Sequence, residues 1–512
     1  MTQKAYSISV AFLLAVAAYF IQKMGLLNSD VGSLLYDTKL FLAGGTYVKD
    51  FFETNPPLIF YLYSPVIFLV KLTSMDIHTV FLLYAIFLAL ISLACSACLL
   101  NKIFIEKSER IISYVLFYTL LLVLLFLPGC EFGQREHFLM LFAFPYFFSA
   151  VLAAQGKKIN FYFASFIGVM AGLGFGLKPY FLIPLILIES YLIYRKCRLF
   201  GWIRVETIVC LSILIVYLSS VFIFQPNYIY IMLPLIAHLY FVSTQESWIQ
   251  IFSRLSVIFC CISLGYYFLF YNKKQHTDFS IILILALIGM MLAFIIPRAA
   301  WYYHVIPAFG LACLLMSLYL SQWMLSSIKH DQCSKKDNFF LVMVILILFF
   351  PAIFYSYVNT KKVIVIKNDR DSISLVSYIN GLQSPHSVYC FSANTTADCF
   401  PLVYVSHRQF AGRFPLFWWL RGLLKLENSA GHPLSSTIVK DKKYLIESIA
   451  DDLNNYQADI IIINTWDQKL DLGQQVKLIA YFSKNRKFYQ TWQHYHYLTM
   501  IGTYQLYQRN SK

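Results

Sequence analysis

Asp30-Val31-Gly32-Ser33-Leu34-Leu35-Tyr36-Asp37, followed by Gly44-Gly45-Thr46-Tyr47-Val48-Lys49-Asp50-Phe51-Phe52-Glu53-Thr54-Asn55-Pro56-Pro57, is a polar stretch set between two apolar runs. The run before it, 6–22, is long enough to approach one crossing of a bilayer, for which a helix needs about 20 residues. The run after it, 57–72, is shorter and interrupted by Pro65. The reading of the whole chain turns on whether this second run crosses.

Ten further apolar runs follow, near 77–100, 111–128, 138–154, 160–177, 179–194, 205–224, 255–271, 279–296, 300–325 and 339–357. With 6–22 they make eleven expected spans, each helical because lipid offers no partner to an unpaired backbone group. A further short run, 228–242, carries Pro234 and is read, like 57–72, as a helix lying at the interface. Charge decides the arrangement. With the N-terminus inside and 57–72 not crossing, the inner segments before residue 358 hold 15 Lys and Arg and the outer ones 8. If 57–72 crossed, the counts would become 6 inside and 17 outside, against the positive-inside rule. Residues 23–76, 129–137, 178, 225–254, 297–299 and 358–512 are therefore expected at the outer face. Ala15-Val16-Ala17 resembles a signal-peptide cleavage site, but the apolar core before it is short and the run continues to Ile21, so 6–22 is read as a span.

Composition agrees. Of 512 residues 59% are hydrophobic and 13% charged, with a mean hydropathy of +0.62; a soluble domain carries about 45–50% apolar and about 25% charged residues. A soluble enzyme, a disordered protein and a nucleic-acid-binding domain are excluded, since the net charge of +15 lies mostly in short loops. Eleven cysteines give no disulfide framework; Cys390 and Cys399 either pair or remain thiols. Cys95 and Cys98 lie inside an apolar span and are read as packing residues. From residue 358 charge density nearly doubles, to 29 in 155 residues against 38 in the first 357. The alternation there suggests a soluble α/β domain: helices at 372–382, 416–426, 441–455 and 472–485, strands at 387–391, 459–463, 487–492 and 500–507. The division expected is a membrane domain over 1–357 and an outer domain over 358–512. Asn394-Thr395-Thr396 fits a glycosylation acceptor, a pattern common by chance.

Polar residues from several spans gather at the outer face. Besides the first loop, there are Cys130-Glu131-Phe132-Gly133-Gln134-Arg135-Glu136-His137, then Lys178-Pro179-Tyr180, then Pro297-Arg298 and Trp301-Tyr302-Tyr303-His304. Each alone reads as an interfacial anchor; ionisable groups gathered at one depth point to a site. Gly172, Gly174 and Gly176 end a membrane helix and follow no strand, so close helix packing, not nucleotide binding, is their reading.

Asp30, Tyr36, Gly44-Gly45, Tyr47, Asp50 and Asn55-Pro56-Pro57-Leu58 together resemble the first periplasmic loop of the GT-C membrane glycosyltransferases, in the branch of the protein O-mannosyltransferases and aminoarabinose lipid A transferases (glycosyltransferase family 39-like). Arg135-Glu136-His137 is similar to that family's second acidic position, Gly172 through Lys178-Pro179 to its Gly-rich helix end with a basic residue, and Arg298 through Pro307 to a late motif. The resemblance covers roughly 1–310. It implies about eleven transmembrane helices with juxtamembrane helices in loop 23–76, and an inverting sugar transfer at the periplasmic face of a bacterial inner membrane. The donor implied is a polyprenyl phosphate, such as undecaprenyl phosphate; the acceptor is a lipid, glycan or protein, lipid A among them. No nucleic acid is a partner. Val31 stands where many members have a second acid, and Asn55 where some have a charge before proline, which puts a metal ligand of part of the family in doubt. Trp418-Trp419 is followed by Leu420-Arg421 and does not continue as the oligosaccharyltransferase motif.

Chemistry assigns the roles. A hydroxyl acceptor needs a base, and a partly buried carboxylate suits that task; Asp30 is the expected catalytic base, with an N-cap for a helix starting at Val31 as the rival reading. A departing lipid phosphate needs positive charge, for which Arg135, Lys178 and Arg298 are the candidates. Glu136, His137, His238, Asp50, Tyr302 and Tyr303 are candidates to bind the acceptor or a divalent metal ion, although convergence of the three ligands a metal usually needs is not visible in sequence. Rival functions are a transporter or flippase of lipid-linked glycans, disfavoured by the apolar span centres, a membrane scaffold, and a glycan ligase or polymerase with a diphosphate-linked donor.

Overall fold

The computed structural model describes residues 3–107, 109–196, 200, 203–270, 277–299, 301–329, 358, 370–382, 386–393, 399–400, 402–429, 433–465 and 477–510. The chain is mostly helical and forms two compact units. One comprises Met1–Met24, Met75–Ser219 and Glu246–Val363; the other Gly25–Ser74, Ser220–Gln245 and Ile364–Lys512. The first loop therefore clusters with the C-terminal residues.

Among the described residues five helices are long and apolar enough to cross a membrane: Ile77–Ile103, Arg135–Ala154, Val205–Phe224, Thr277–Ile295 and Tyr302–Trp323. The spans expected at 6–22, 111–128, 160–177, 179–194 and 255–271 coincide with the helices Gln3–Lys23, Arg110–Leu125, Phe161–Phe175, Leu182–Lys196 and Leu255–Phe270. The span expected at 339–357 and the Asn394 acceptor motif lie outside the described residues.

In the first unit the helix Arg135–Ala154 is apolar all round and buried on every side, from Arg135 to Ala153, as a helix without a polar face must be. The helix Val205–Phe224 instead turns Ile215, Val216, Phe222 and Ile223 outward, each more than half exposed, an apolar surface that suits hydrocarbon. Glycines set the packing. A Cβ on Gly172 would stand 2.7 Å from Ile213, and one on Gly174 3.0 Å from Phe142. The Gly-rich helix is thus pressed between its neighbours, as expected. Nearby, the Arg204 guanidinium is buried, 2.6 Å from Glu189 Oε1 and 3.1 Å from the Tyr146 hydroxyl.

In the second unit the helix Ser29–Leu42 packs on Leu58–Thr73, which continues through Pro65. Residues 228–244 form one run in which two π-helical segments, Tyr228–Met232 and Ile236–Tyr240, flank Pro234; it packs on the helix Trp418–Ser429. That contact needs Gly422, whose Cβ would meet the Leu239 carbonyl oxygen at 2.1 Å. A five-stranded sheet follows, with β1 Ser387–Phe391, β2 Gln409–Phe410, β3 Ile460–Asn464, β4 Tyr495–Ile501 and β5 Tyr504–Arg509 in the order β2-β1-β3-β5-β4. β1 runs parallel to β2 and β3; β5 is antiparallel to β3 and β4. Four isoleucines of β3 are buried, the pattern of a strand covered on both faces. The crossover from β1 to β3 carries Trp418–Ser429 and Ser436–Asn455. Cys390 and Cys399 form a disulfide.

Two strand expectations are corrected. Residues 487–492 are helical, within Arg486–Trp492, because Asn485 caps that turn (its Oδ1 accepts the Phe488 N–H at 3.1 Å) and Phe488 and Trp492, four apart, both lie against Phe391. Their spacing had the look of strand alternation. The strand expected at 500–507 is instead a hairpin, β4 and β5, turning at Gly502, whose φ is +54°. Of the helix expected at 472–485, Leu478–Phe482 is described; 471–476 lie outside the described residues.

Candidate active site

The polar groups of the first unit meet at helix ends. The turn before Arg135–Ala154 requires glycine at 133: φ is +83° and a Cβ would stand 2.2 Å from the Phe81 ring. The Gly133 N–H donates to His137 Nδ1 at 2.9 Å, so the ring proton sits on Nε2, which donates to the Leu124 carbonyl at 2.8 Å. Both ring nitrogens of His137 are therefore engaged by backbone, which holds the turn at Gly133.

Glu136, one residue earlier, is buried. Its Oε1 accepts from Lys178 Nζ at 2.6 Å and lies 3.5 Å from His304 Nε2. Glu136 Oε2 has no hydrogen-bond partner among the described residues. Lys178 also lies 3.3 Å from His304 Nε2, and His304 Nδ1 lies 3.0 Å from the Ala299 carbonyl. With Nδ1 donating to that carbonyl, Nε2 accepts from the ammonium. Lys178 reaches this point because the Gly-rich helix stops at Phe175 and the chain passes extended through Lys178 into the turn Pro179–Phe181. The Tyr303 ring faces two cations, Arg135 and Lys178, each 5.6 Å from its centroid. Arg135 also donates to Gln134 Oε1 at 3.0 Å, and Gln134 in turn to Glu131 at 3.2 Å. Tyr302 OH donates to the Leu127 carbonyl at 3.4 Å.

Arg298 has other partners. Its backbone is left-handed, with φ +51°. Its guanidinium donates to the Glu246 carbonyl at 2.9 Å and lies 4.6 Å over the Trp248 ring. Of the three cations expected to share one anion, the structure brings Arg135 and Lys178 to one ring and gives Arg298 partners of its own.

The acids of the second unit are arranged around Ser29–Leu42. Asn28 is the cap: its Oδ1 accepts from the N–H groups of Asp30 and Val31 at 3.0 and 3.1 Å. The helix begins at Ser29, so the rival reading of Asp30 as N-cap is removed. Asp37, seven residues on and hence on the same helix face, is buried, and its Oδ2 has no hydrogen-bond partner among the described residues. Burial, then the charge of Glu53, raises its pKa well above the ordinary carboxyl value. Asp50 Oδ2 accepts the Thr46 N–H at 2.8 Å and closes its own turn, while Glu53 Oε1 accepts the Asn55 N–H at 2.9 Å and orders the chain before Pro56. His238 Nδ1 pairs with Asp441 Oδ2 at 2.9 Å.

Among the described residues no three His, Cys, Asp or Glu side chains converge on a point where a metal could sit. Glu136 is engaged by Lys178, His137 by backbone and His238 by Asp441. Sequence reasoning missed His304 and Asp37. The signals were there: His304 opens a span at the level of Lys178, and Asp37 repeats the face of Asp30 after two helical turns.

No protein-family model matches the chain, and no curated protein matches it. Solved structures do. The crystal structure of ArnT from Cupriavidus metallidurans bound to undecaprenyl phosphate is similar at 12% identity with a TM-score of 0.58, covering 100% of this chain and 99% of that one. The apo state of the same protein is similar at 12% identity with a TM-score of 0.56, covering 99% and 98%. ArnT is an aminoarabinose lipid A transferase of GT-C fold. At this identity the likeness shows a shared fold over the whole length, in agreement with the resemblance of the first loop.

Proposed function

We propose that the chain is a membrane glycosyltransferase that moves one sugar from a polyprenyl-phosphate donor to a hydroxyl or phosphate of a lipid, glycan or protein. The observation that carries this is the whole-length likeness to a fold solved with undecaprenyl phosphate bound. In this reading there are eleven spans, the N-terminus is cytoplasmic, and the first loop and residues 358–512 are periplasmic, in a bacterial inner membrane.

Asp30 takes the proton of the acceptor O–H as the oxygen bonds to the anomeric carbon. The bond from that carbon to the phosphate oxygen breaks on the opposite face, with inversion, and the lipid phosphate leaves as a monoester. The Asn28 cap supports this role, because it leaves the helix start without need of the Asp30 carboxylate. Arg135 and Lys178 receive the departing phosphate, with Glu136 and His304 holding the Lys178 ammonium in place. Arg298 orders the segment at Glu246 and Trp248 and supplies further positive charge. Losing one stabiliser of a developing anion typically costs about 10²–10³ in rate.

The test has two arms. Purified protein in lipid nanodiscs is titrated with undecaprenyl phosphate, and the lipid and glycan profiles of cells with and without the chain are compared. Saturable binding weakened by Lys178→Ala, with a glycan difference lost on Asp30→Asn, is the expected result. No binding, or a profile unmoved by the chain, overturns the proposal.

A further inference from the structure

We propose that Arg413 is a positioning residue that fixes residues 46–53 of the first loop, and that setting this loop is what the C-terminal sheet does. The functional consequence rests on the sugar-transfer reading above; the clamp itself does not.

Arg413 follows β2 and is fastened to a single carboxylate. Its Nε lies 2.7 Å from Asp452 Oδ1 and its backbone N–H donates to Oδ2 at 2.9 Å, where the Tyr389 hydroxyl also donates at 3.2 Å. Asp452 is fully buried, so the guanidinium is held from below and points in one direction. Its Nη1 donates to the Val48 carbonyl at 2.8 Å, a contact spanning 365 residues of sequence.

Val48 is where such a tie is needed. Its φ is +77°, a conformation that a β-branched residue adopts only when its surroundings impose it. A second bond, from the Val48 N–H to the Phe51 carbonyl at 2.8 Å, closes the turn. Beside it Phe52 packs on Phe414, the neighbour of Arg413, with ring centroids 4.6 Å apart. The turn so fixed sets Asp50 and leads into Glu53. The same C-terminal stretch also grips the helix of Asp30: Tyr36 OH donates to the Phe410 carbonyl and Tyr404 OH to the Gly32 carbonyl, each at 2.9 Å. The C-terminal residues thus bind the first loop at three places, at two of them by its backbone.

Removing Arg413 alone would leave the buried Asp452 unpaired and endanger the sheet, so the informative variant is Arg413→Gln with Asp452→Asn, which removes both charges and keeps hydrogen-bonding groups. The third member is the same pair with Val48→Gly, because glycine holds a positive φ without strain. Backbone hydrogen exchange is read on the full chain in nanodiscs, and each variant is returned to cells lacking the protein to see whether it restores the glycan profile. In the paired variant, exchange at Val48 and Asp50 should rise about tenfold or more while β3 keeps wild-type protection, and glycan restoration should fall. Val48→Gly should recover both, which a general loss of stability would not do. If exchange in 46–52 is unmoved by the paired variant, or is not recovered by Val48→Gly, the clamp is wrong. If exchange behaves as expected but the wild type restores no glycan, the clamp stands and the transfer reading fails.

Discussion

Lys178 Nζ and Glu136 Oε1 lie 2.6 Å apart within an apolar helix bundle, with side-chain exposures of 13% and 1%. A charge pair so withdrawn from water gains little net stability as a pair but is costly to break, because the survivor is left desolvated. Lys178→Ala should therefore lower unfolding stability by about 3–5 kcal/mol. The double variant Glu136→Gln/Lys178→Met should recover most of that loss. Thermal unfolding in nanodiscs checks it: a Lys178→Ala midpoint within a degree of wild type would mean that the ammonium already has water.

Asp30→Asn separates chemistry from folding. Asn28 caps the helix, so the amide should leave the helix start in place. If Asp30 is the base, glycan transfer should fall by about 10²–10⁴. Asn28→Ala should do the reverse, lowering stability by about 0.5–2 kcal/mol with the transfer step intact in the folded fraction. Equal loss of midpoint in both variants would return Asp30 to a structural role.

These residues show what was legible. The motifs of the first loop pointed to the fold that the similar solved structures share, and a bilayer leaves few ways to arrange the apolar runs around it. The acids at 30 and 136 and the cations at 135 and 178 stood out because charge near lipid is rare. His304 did not, because an imidazole among Tyr302 and Tyr303 has the composition of an ordinary interfacial belt. Arg413 and Asp452 were invisible as a pair: their meaning depends on Val48, 365 residues away, and no local periodicity encodes that contact. The helix Arg486–Trp492 is not legible because seven residues with two buried side chains, Phe488 and Thr491, show too little pattern to be told from a strand.

Asp37 predicts a pH dependence with an unusual sign. Its folded pKa is raised, first by burial and then by Glu53. The native state therefore keeps its proton at pH values where the unfolded chain, with the ordinary aspartate value of about 3.9, has released it. Where the native state binds more protons, stability falls as pH rises. The contribution of Asp37 is thus fully present below the unfolded value and declines upward until the folded value is passed. Asp37→Asn, which keeps a polar group of the same shape without the titration, should remove that part of the slope and be more stable than wild type at pH 8. Unfolding midpoints of both proteins at pH 5 and pH 8 test this; parallel shifts would show that Asp37 is solvated.

The disulfide Cys390–Cys399 gives the last prediction, because it is attached to something specific. Cys390 lies in β1 and Cys399 precedes Phe400, whose Cβ would stand 3.4 Å from a Cβ on Gly32, beside Tyr404 and its bond to the Gly32 carbonyl. The cross-link closes a short loop, and cross-links of this kind typically contribute about 2–4 kcal/mol, less for short loops. Its removal should therefore be felt in the helix Ser29–Leu42 as well as in β1. In Cys390→Ser/Cys399→Ser, hydrogen exchange should rise in residues 32–37 and 387–391 together, with a drop of about 2 kcal/mol in stability. Gly32→Ala in the oxidised protein should mimic only the first of these, since a methyl there presses on Tyr404 at 3.3 Å and Phe400 at 3.4 Å while β1 keeps its cross-link. If the double serine variant loosens β1 and leaves residues 32–37 protected, the packing of Phe400 and Tyr404 holds that helix without help from the disulfide.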